Sequence, residues 1–195
     1  MTISTDTAAP ADVTTVNVYQ AIGGRAALAA AVDGLYGRLL ADPVLSRFFP
    51  RGVAAKHRAY VVTILGEVLG GPERYQGPDL VKAHRSLGIS DADFDRTAGH
   101  LAATLDSLGY IEHHSGHHDE AVNNYQQALA LFRDTGHAYD IANTLDSLGH
   151  PHAALGHHEH ARAAWQQALE MYQQQERHAD AERVQSQLDG LHSSP

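Results

Sequence analysis

The sequence predicts an all-α protein with an irregular helical half followed by a repeated helical half. Three observations carry this. Apolar residues recur at i, i+3, i+4 spacing in the long segments, glycine and proline clusters separate those segments, and from Asp91 onward the chain repeats itself with a period of 40 residues.

The composition bounds what such a protein can do. A chain of 195 residues that is 43% hydrophobic can bury one medium core or two small ones. It has no cysteine, which excludes disulfides, thiolate metal sites and a thiol nucleophile, and it is compatible with a reducing compartment, so a cytoplasmic location is expected. With 14 basic against 23 acidic residues and a formal charge of -9, counterion release cannot drive binding to DNA or RNA, and no nucleic-acid partner is expected. Met1 to Thr15 lacks the basic and apolar regions of a signal peptide, and no run of about 18 apolar residues is present, so no membrane association is expected. Fifteen histidines make the net charge turn positive on acidification.

Taken in order, residues 1–16 are rich in Thr, Ala, Asp and Pro without periodicity and read as a disordered leader, with order beginning near Val18. After Gly23-Gly24, the apolar positions Leu28, Val32, Leu35, Tyr36 and Leu39 predict an amphipathic helix that stops at Asp42-Pro43. A second helix carries His57, Val61, Ile64, Leu65 and Val68 on one apolar face, His57 pointing with that face, and ends at Gly70-Gly71-Pro72. Gly77-Pro78 and the cap-like Ser90 leave room for only a short helix at about Leu80 to Ser86, which carries His84.

The repeat is explicit in the residues. Leu105-Asp106-Ser107-Leu108-Gly109 recurs as Leu145 to Gly149, Gly116-His117-His118 as Gly156-His157-His158, and Tyr125-Gln126-Gln127-Ala128-Leu129 as Trp165 to Leu169. Each unit is therefore a helix, a turn at Gly116 or Gly156, and a second helix, and the units are expected to stack as hairpins. Pro151 falls inside the first helix of the second copy, where proline costs about 3 kcal/mol, so a kink is expected there. A partial third helix at Asp180 to Leu188 is expected to cap the array.

The first half contains, in order, Tyr19-Gln20-Ala21-Ile22-Gly23-Gly24, Leu35-Tyr36, Leu40-Ala41-Asp42-Pro43, Phe48-Phe49, Gly70-Gly71-Pro72 with Tyr75, and Ala83-His84 with Leu87-Gly88-Ile89. Residues 18 to about 109 thereby resemble group I truncated hemoglobins, short globins that stack two helices on two around a heme. The resemblance implies a heme b cofactor whose iron is ligated by His84 on the proximal side. It implies further that Phe49 packs on the heme, that Tyr36 and His57 stabilise oxygen on the opposite side, that Val61 lines the distal wall, and that Leu65 and Tyr75 belong to the cofactor contacts. The activities implied are reversible binding of oxygen and nitric oxide, with nitric oxide dioxygenation or gas sensing as further roles. Two departures stand out. Family members often carry Gln where Val61 stands, and after Gly109 the family's last helix should follow, yet the repeats begin. Ile111 to Ser115 or a later repeat helix must substitute for it.

Residues from about Leu101 to Leu191 resemble tetratricopeptide repeats, through Leu-x-x-Leu-Gly on the first helix and Ala121, Tyr125, Ala128 or Ala161, Trp165, Ala168 on the second. More narrowly they resemble the repeats of actinobacterial regulatory proteins. The period exceeds the usual value of about 34, and Glu112 and His152 stand where an aromatic residue is expected. The resemblance implies a protein partner at the repeats. Because Gly99 to Gly109 satisfies both resemblances, a globin unit over 17–109 and a repeat unit over 98–192 are expected to share one helix at about 98–109.

Two further expectations concern the remaining histidines and the overall role. His113-His114, His117-His118 and His157-His158 with His160 recur at the repeat turns, which duplication of a solvated turn would produce, while several imidazoles brought together could bind a divalent transition metal. The rival to the heme reading is a scaffold whose globin half has lost its cofactor and whose repeats carry the function.

Overall fold

The computed structural model describes residues 18–50, 52, 54–85 and 87–192, and the leader expected at 1–16 lies outside them. Among the described residues the elements are helices: α1 (Val18–Ala21), α2 (Gly24–Ala41), α3 (Ala54–Val68), α4 (Leu80–Arg85), α5 (Asp91–His114), α6 (His118–Asp134), α7 (Ala138–Ala154), α8 (His158–Gln174) and α9 (His178–His192), with one 3-10 turn at Ser46–Phe48.

The first core forms between α1, α2 and α3. Leu28, Val32, Tyr36 and Leu39 are all buried along one stripe of α2, as the helical period requires, and Leu28, Val32 and Tyr36 join Tyr19 and Val62 in one cluster. The loop after α3 is drawn onto this core by Glu73, which accepts from the Tyr19 hydroxyl at 2.7 Å and pairs with Arg25 at 3.2 Å. A side chain at Gly66 would collide with the Glu73 carboxylate, so the glycine makes room for that loop.

The buried face of α3 is not the expected one. Val62 and Gly66 are its buried residues, Val61 is half-buried, and Leu65 and Val68 are exposed. Leu65 and Val68 are therefore left uncovered, while Val61 keeps contact with the α2 cluster and the buried α3 positions are Val62 and Gly66.

Helix α5 is the long element on which the two halves meet. A capping box starts it, Ser90 and Asp93 bonding each other's backbone N–H groups. It packs on α2 on one side and on α6 on the other. Asp42, at the end of α2, accepts from Arg96 at 3.1 Å and bonds His100 Nε2 at 2.9 Å, while its other oxygen accepts the backbone N–H of Val44. The His100 bond first, and those N–H groups after it, hold the Asp42 carboxyl far below its ordinary value. Arg47 adds a two-pronged contact to Asp93, and Arg38 donates to Ser107 at 2.8 Å. The stretch 98–109 lies wholly inside α5, and 111–114 is its last turn rather than a separate helix.

The repeats form two hairpins, α5–α6 and α7–α8, closed by α9. The helical glycines of the two copies, Gly109 and Gly149, each receive an aromatic ring from the next helix. A Cβ at Gly109 would meet Tyr125 at 2.9 Å, and one at Gly149 would overlap the Trp165 indole. Trp165 donates to the Asp146 carbonyl at 3.0 Å, so its one polar atom is satisfied in the core. Helix α7 runs through Pro151, where a kink is expected, and the proline ring is fully buried. Proline there removes one backbone hydrogen bond, the one to the Ser147 carbonyl four residues earlier.

Candidate functional site

Two groups of residues, on different elements, make up the candidate site. On one side, Tyr36 from α2, Phe49 from the 3-10 turn and His57 from α3 form a chain of edge-on rings, with centroids 5.4 Å apart between Tyr36 and Phe49 and 6.2 Å between Phe49 and His57. Tyr36 is buried because it continues the α2 stripe, and the Arg58 guanidinium lies 5.5 Å from its ring. Burial raises the Tyr36 phenol above its ordinary value of 10.0, against the pull of Arg58, so the hydroxyl keeps its proton and is a donor at neutral pH. Val61 packs against the same cluster.

On the other side stands His84. It is exposed on α4, and its Nδ1 lies 2.7 Å from the Leu80 carbonyl one turn earlier. An imidazole that donates Nδ1–H to a backbone carbonyl is fixed in the tautomer whose Nε2 lone pair can bind a metal. No other helix packs closely on α4 among the described residues.

Several apolar side chains on α3, α4 and the start of α5 are uncovered. Val68 is 76% exposed, Val81 64% and Phe94 68%, and Leu65, Leu80, Leu87 and Ile89 are also exposed. Exposed aliphatic and aromatic side chains of this kind are what a flat apolar group would cover. With an imidazole held for ligation on α4 and phenol and imidazole donors on α2 and α3, the residues present fit a heme. Tyr75 is placed differently from the rest: its ring packs edge-on against Tyr60 at 5.7 Å, and its hydroxyl donates to the Pro78 carbonyl at 2.7 Å, shaping the loop before α4.

Residues 17–130, more than half of the chain, match the model of the bacterial-like globins. The chain belongs to the bacterial-like globin family. Membership implies a heme and a gas ligand. The match runs past Gly109 into α6, and residues 100–174 match the tetratricopeptide repeat model, so both cover α5 from residue 100 and most of α6. A group 1 truncated hemoglobin of Tetrahymena pyriformis is 34% identical over 95 residues, covering 49% of this chain and 78% of that protein. One from Mycolicibacterium paratuberculosis is 37% identical over 93 residues, covering 48% and 68%. Against a truncated hemoglobin of Chlamydomonas moewusii, 34% identical over 105 residues, the chain spans only 61% of the relative's length. Among solved structures, the 2/2 hemoglobin of a Synechococcus species with covalently attached heme has 33% identity and a TM-score of 0.44, covering 48% of this chain and 79% of that one. The Tetrahymena pyriformis protein in its Fe(III) form has 28% identity and a TM-score of 0.45, covering 60% and 92%.

Sequence reasoning missed several residues that position this site. Glu73 and Tyr19 fix the loop that leads to α4, and Asp42, Arg96 and His100 fix α5 against α2. The signal for the first was the pair Gly66 and Gly71, both closely approached by the Glu73 side chain.

Among the described residues, no helix is long and apolar enough to cross a membrane.

Proposed function

We propose that this globin binds heme b through His84 and reversibly binds oxygen and nitric oxide, and that its repeats form an interaction module. The observation that carries the reading is the His84 ring, held by its Nδ1 bond to Leu80 on a short helix flanked by exposed apolar side chains. When bound, heme would supply an iron that takes a diatomic gas.

The chain's own residues do the rest. His84 Nε2 ligates, and the Leu80 carbonyl keeps that imidazole oriented and basic. Phe49, Val61 and Leu65 would supply apolar contacts to the cofactor. Tyr36 and His57 donate hydrogen bonds to the gas, and the apolar wall excludes water from it. Tyr75 contributes at the rim, through the loop it stiffens. In the same reading the globin unit covers 17–109 and the repeat unit 98–192, sharing about 98–109, and α6 stands in for the globin's last helix. That the globin match continues through most of α6 supports this substitution.

Nitric oxide dioxygenation is the enzymatic activity this reading admits. It is tested by following nitric oxide loss and nitrate formation with the reduced protein under oxygen. The cofactor itself is tested first: the untagged protein should show a heme absorption band on purification or after adding hemin. A stable folded protein that takes up no hemin would leave the scaffold reading in its place.

A further inference from the structure

The turn between α7 and α8 gathers three imidazoles that the heme reading does not use. His152, in the last turn of α7, has ring centroids 5.1 Å from His160 and 5.9 Å from His157, and His157 and His160 are 5.9 Å apart. Zn–N bonds of about 2.0–2.1 Å in tetrahedral geometry place the centroids of three ligating imidazoles about 5 to 6 Å apart. The three rings already form a closed triangle of that size.

His152 is 6% exposed, and its Nδ1 is buried without a hydrogen-bond partner. An orphaned buried nitrogen is costly and is retained where something else satisfies it. The first repeat shows how the same corner is built when its needs are met internally. Forty residues earlier the equivalent positions are Glu112, His117 and Glu120, and there Glu112 holds His117 Nδ1 at 2.7 Å. In the second copy each carboxylate has become an imidazole. Simple duplication of a solvated turn does not leave that pattern.

We propose that His152, His157 and His160 bind one divalent transition-metal ion of the zinc class, with water completing the coordination. In this structure the nitrogens do not yet converge: among the described residues no three His, Asp or Glu groups are placed to hold an ion. Rotation of the His157 and His160 rings closes the site. Both residues are exposed, and the ring contacts they make are the imidazole contacts themselves. The α7 carboxyl end and the α8 amino end meet at this corner, so their opposed dipoles offset one another at the ion. Arg133 lines the same groove and is the opposing charge nearby, at an exposed position.

The test uses the untagged, heme-loaded full chain and zinc ions alone, followed by equilibrium dialysis with metal analysis at pH 7.5. One tight equivalent of zinc is expected. His157→Gln with His160→Gln should weaken it by about 100-fold or more, since loss of even outer partners costs 10–100-fold, while His113→Gln with His118→Gln should leave it unchanged. Trp165 emission checks that each variant is folded, since both pairs lie outside the buried core. Zinc bound only weakly by the wild type, or bound equally well by the His157/His160 variant, would overturn the assignment.

Discussion

The two halves of this globin solve the problem of burying apolar surface in opposite ways. In the repeats, Tyr125, Leu129, Leu145, Trp165, Tyr172, Val184 and Leu188 are all buried, each ring or branch received by a neighbouring helix. In the first half, α2 is well covered, yet Val68, Val81 and Phe94 are mostly exposed, and α4 has little packed against it. The repeat core is completed by protein alone. The first half leaves apolar side chains uncovered, and in the proposed function the heme covers them.

The largest effect should come from breaking the half that is complete. Trp165→Ala removes a buried indole and its bond to the Asp146 carbonyl, and should cost about 3–5 kcal/mol whether or not hemin is present. Chemical denaturation followed by helical circular dichroism checks it. Equal destabilisation by Phe94→Ala in the absence of hemin would erase the contrast, because Phe94 should matter only once heme covers it.

Hemin should act on the other half. At about 100 times its dissociation constant, a ligand specific to the native state stabilises it by about 2.7 kcal/mol. The thermal transition monitored by heme absorbance should rise with hemin concentration. A melting curve insensitive to hemin would contradict the incomplete-core account.

Gly149→Ala is a smaller perturbation of the same repeat core. Its methyl would overlap the Trp165 indole, and overpacking of this kind costs about 1–3 kcal/mol. Gly156→Ala meets no neighbouring atom but must adopt a φ of +73, so it should also destabilise, through the backbone and without moving Trp165 emission.

Acidification separates the halves by pH. Burial lowers the pKa of His113, His150 and His152 below the ordinary 6.5. The unfolded chain then takes up protons before the native one, so stability present above about pH 6.5 is lost as pH falls through the folded values. Asp106, raised by burial, works in the opposite direction. In the first half the shifted acids are carboxylates held low, Asp42 by His100, Glu73 by the Tyr19 hydroxyl and Asp93 by Ser90, and their stabilisation persists until the pH enters the carboxylate range. Trp165, the chain's one tryptophan, should therefore report loosening at a higher pH than the heme band does.

Much of this organisation was legible in the residues. The stripe on α2, the short helix carrying His84, the breaks at Gly70-Gly71 and Gly88, and the repeat hairpins all follow from period and punctuation. What period cannot supply is the choice between adjacent faces. On α3 the apolar residues at 61, 64, 65 and 68 announce an inward face, but Val62 and Gly66 are the ones that face α2. Leu65 and Val68 are left exposed, and hydrophobicity alone does not distinguish the covered positions from the uncovered ones. Long-range polar anchors were equally hidden. Asp42 with His100 spans 58 residues and Tyr19 with Glu73 spans 54, and no local rule pairs them. His152 escaped for a related reason, since its partners His157 and His160 lie across a turn and only the hairpin brings them together.

The most direct test of the central claim is a hemin titration of the untagged apoprotein, followed by absorbance, on the wild type and on His84→Ala. The account predicts that the wild type takes up one equivalent and shows a histidine-ligated heme spectrum. His84→Ala should lose that spectrum and regain it when imidazole is added. A wild type that leaves hemin free, or a His84→Ala variant with an unchanged spectrum, would contradict it.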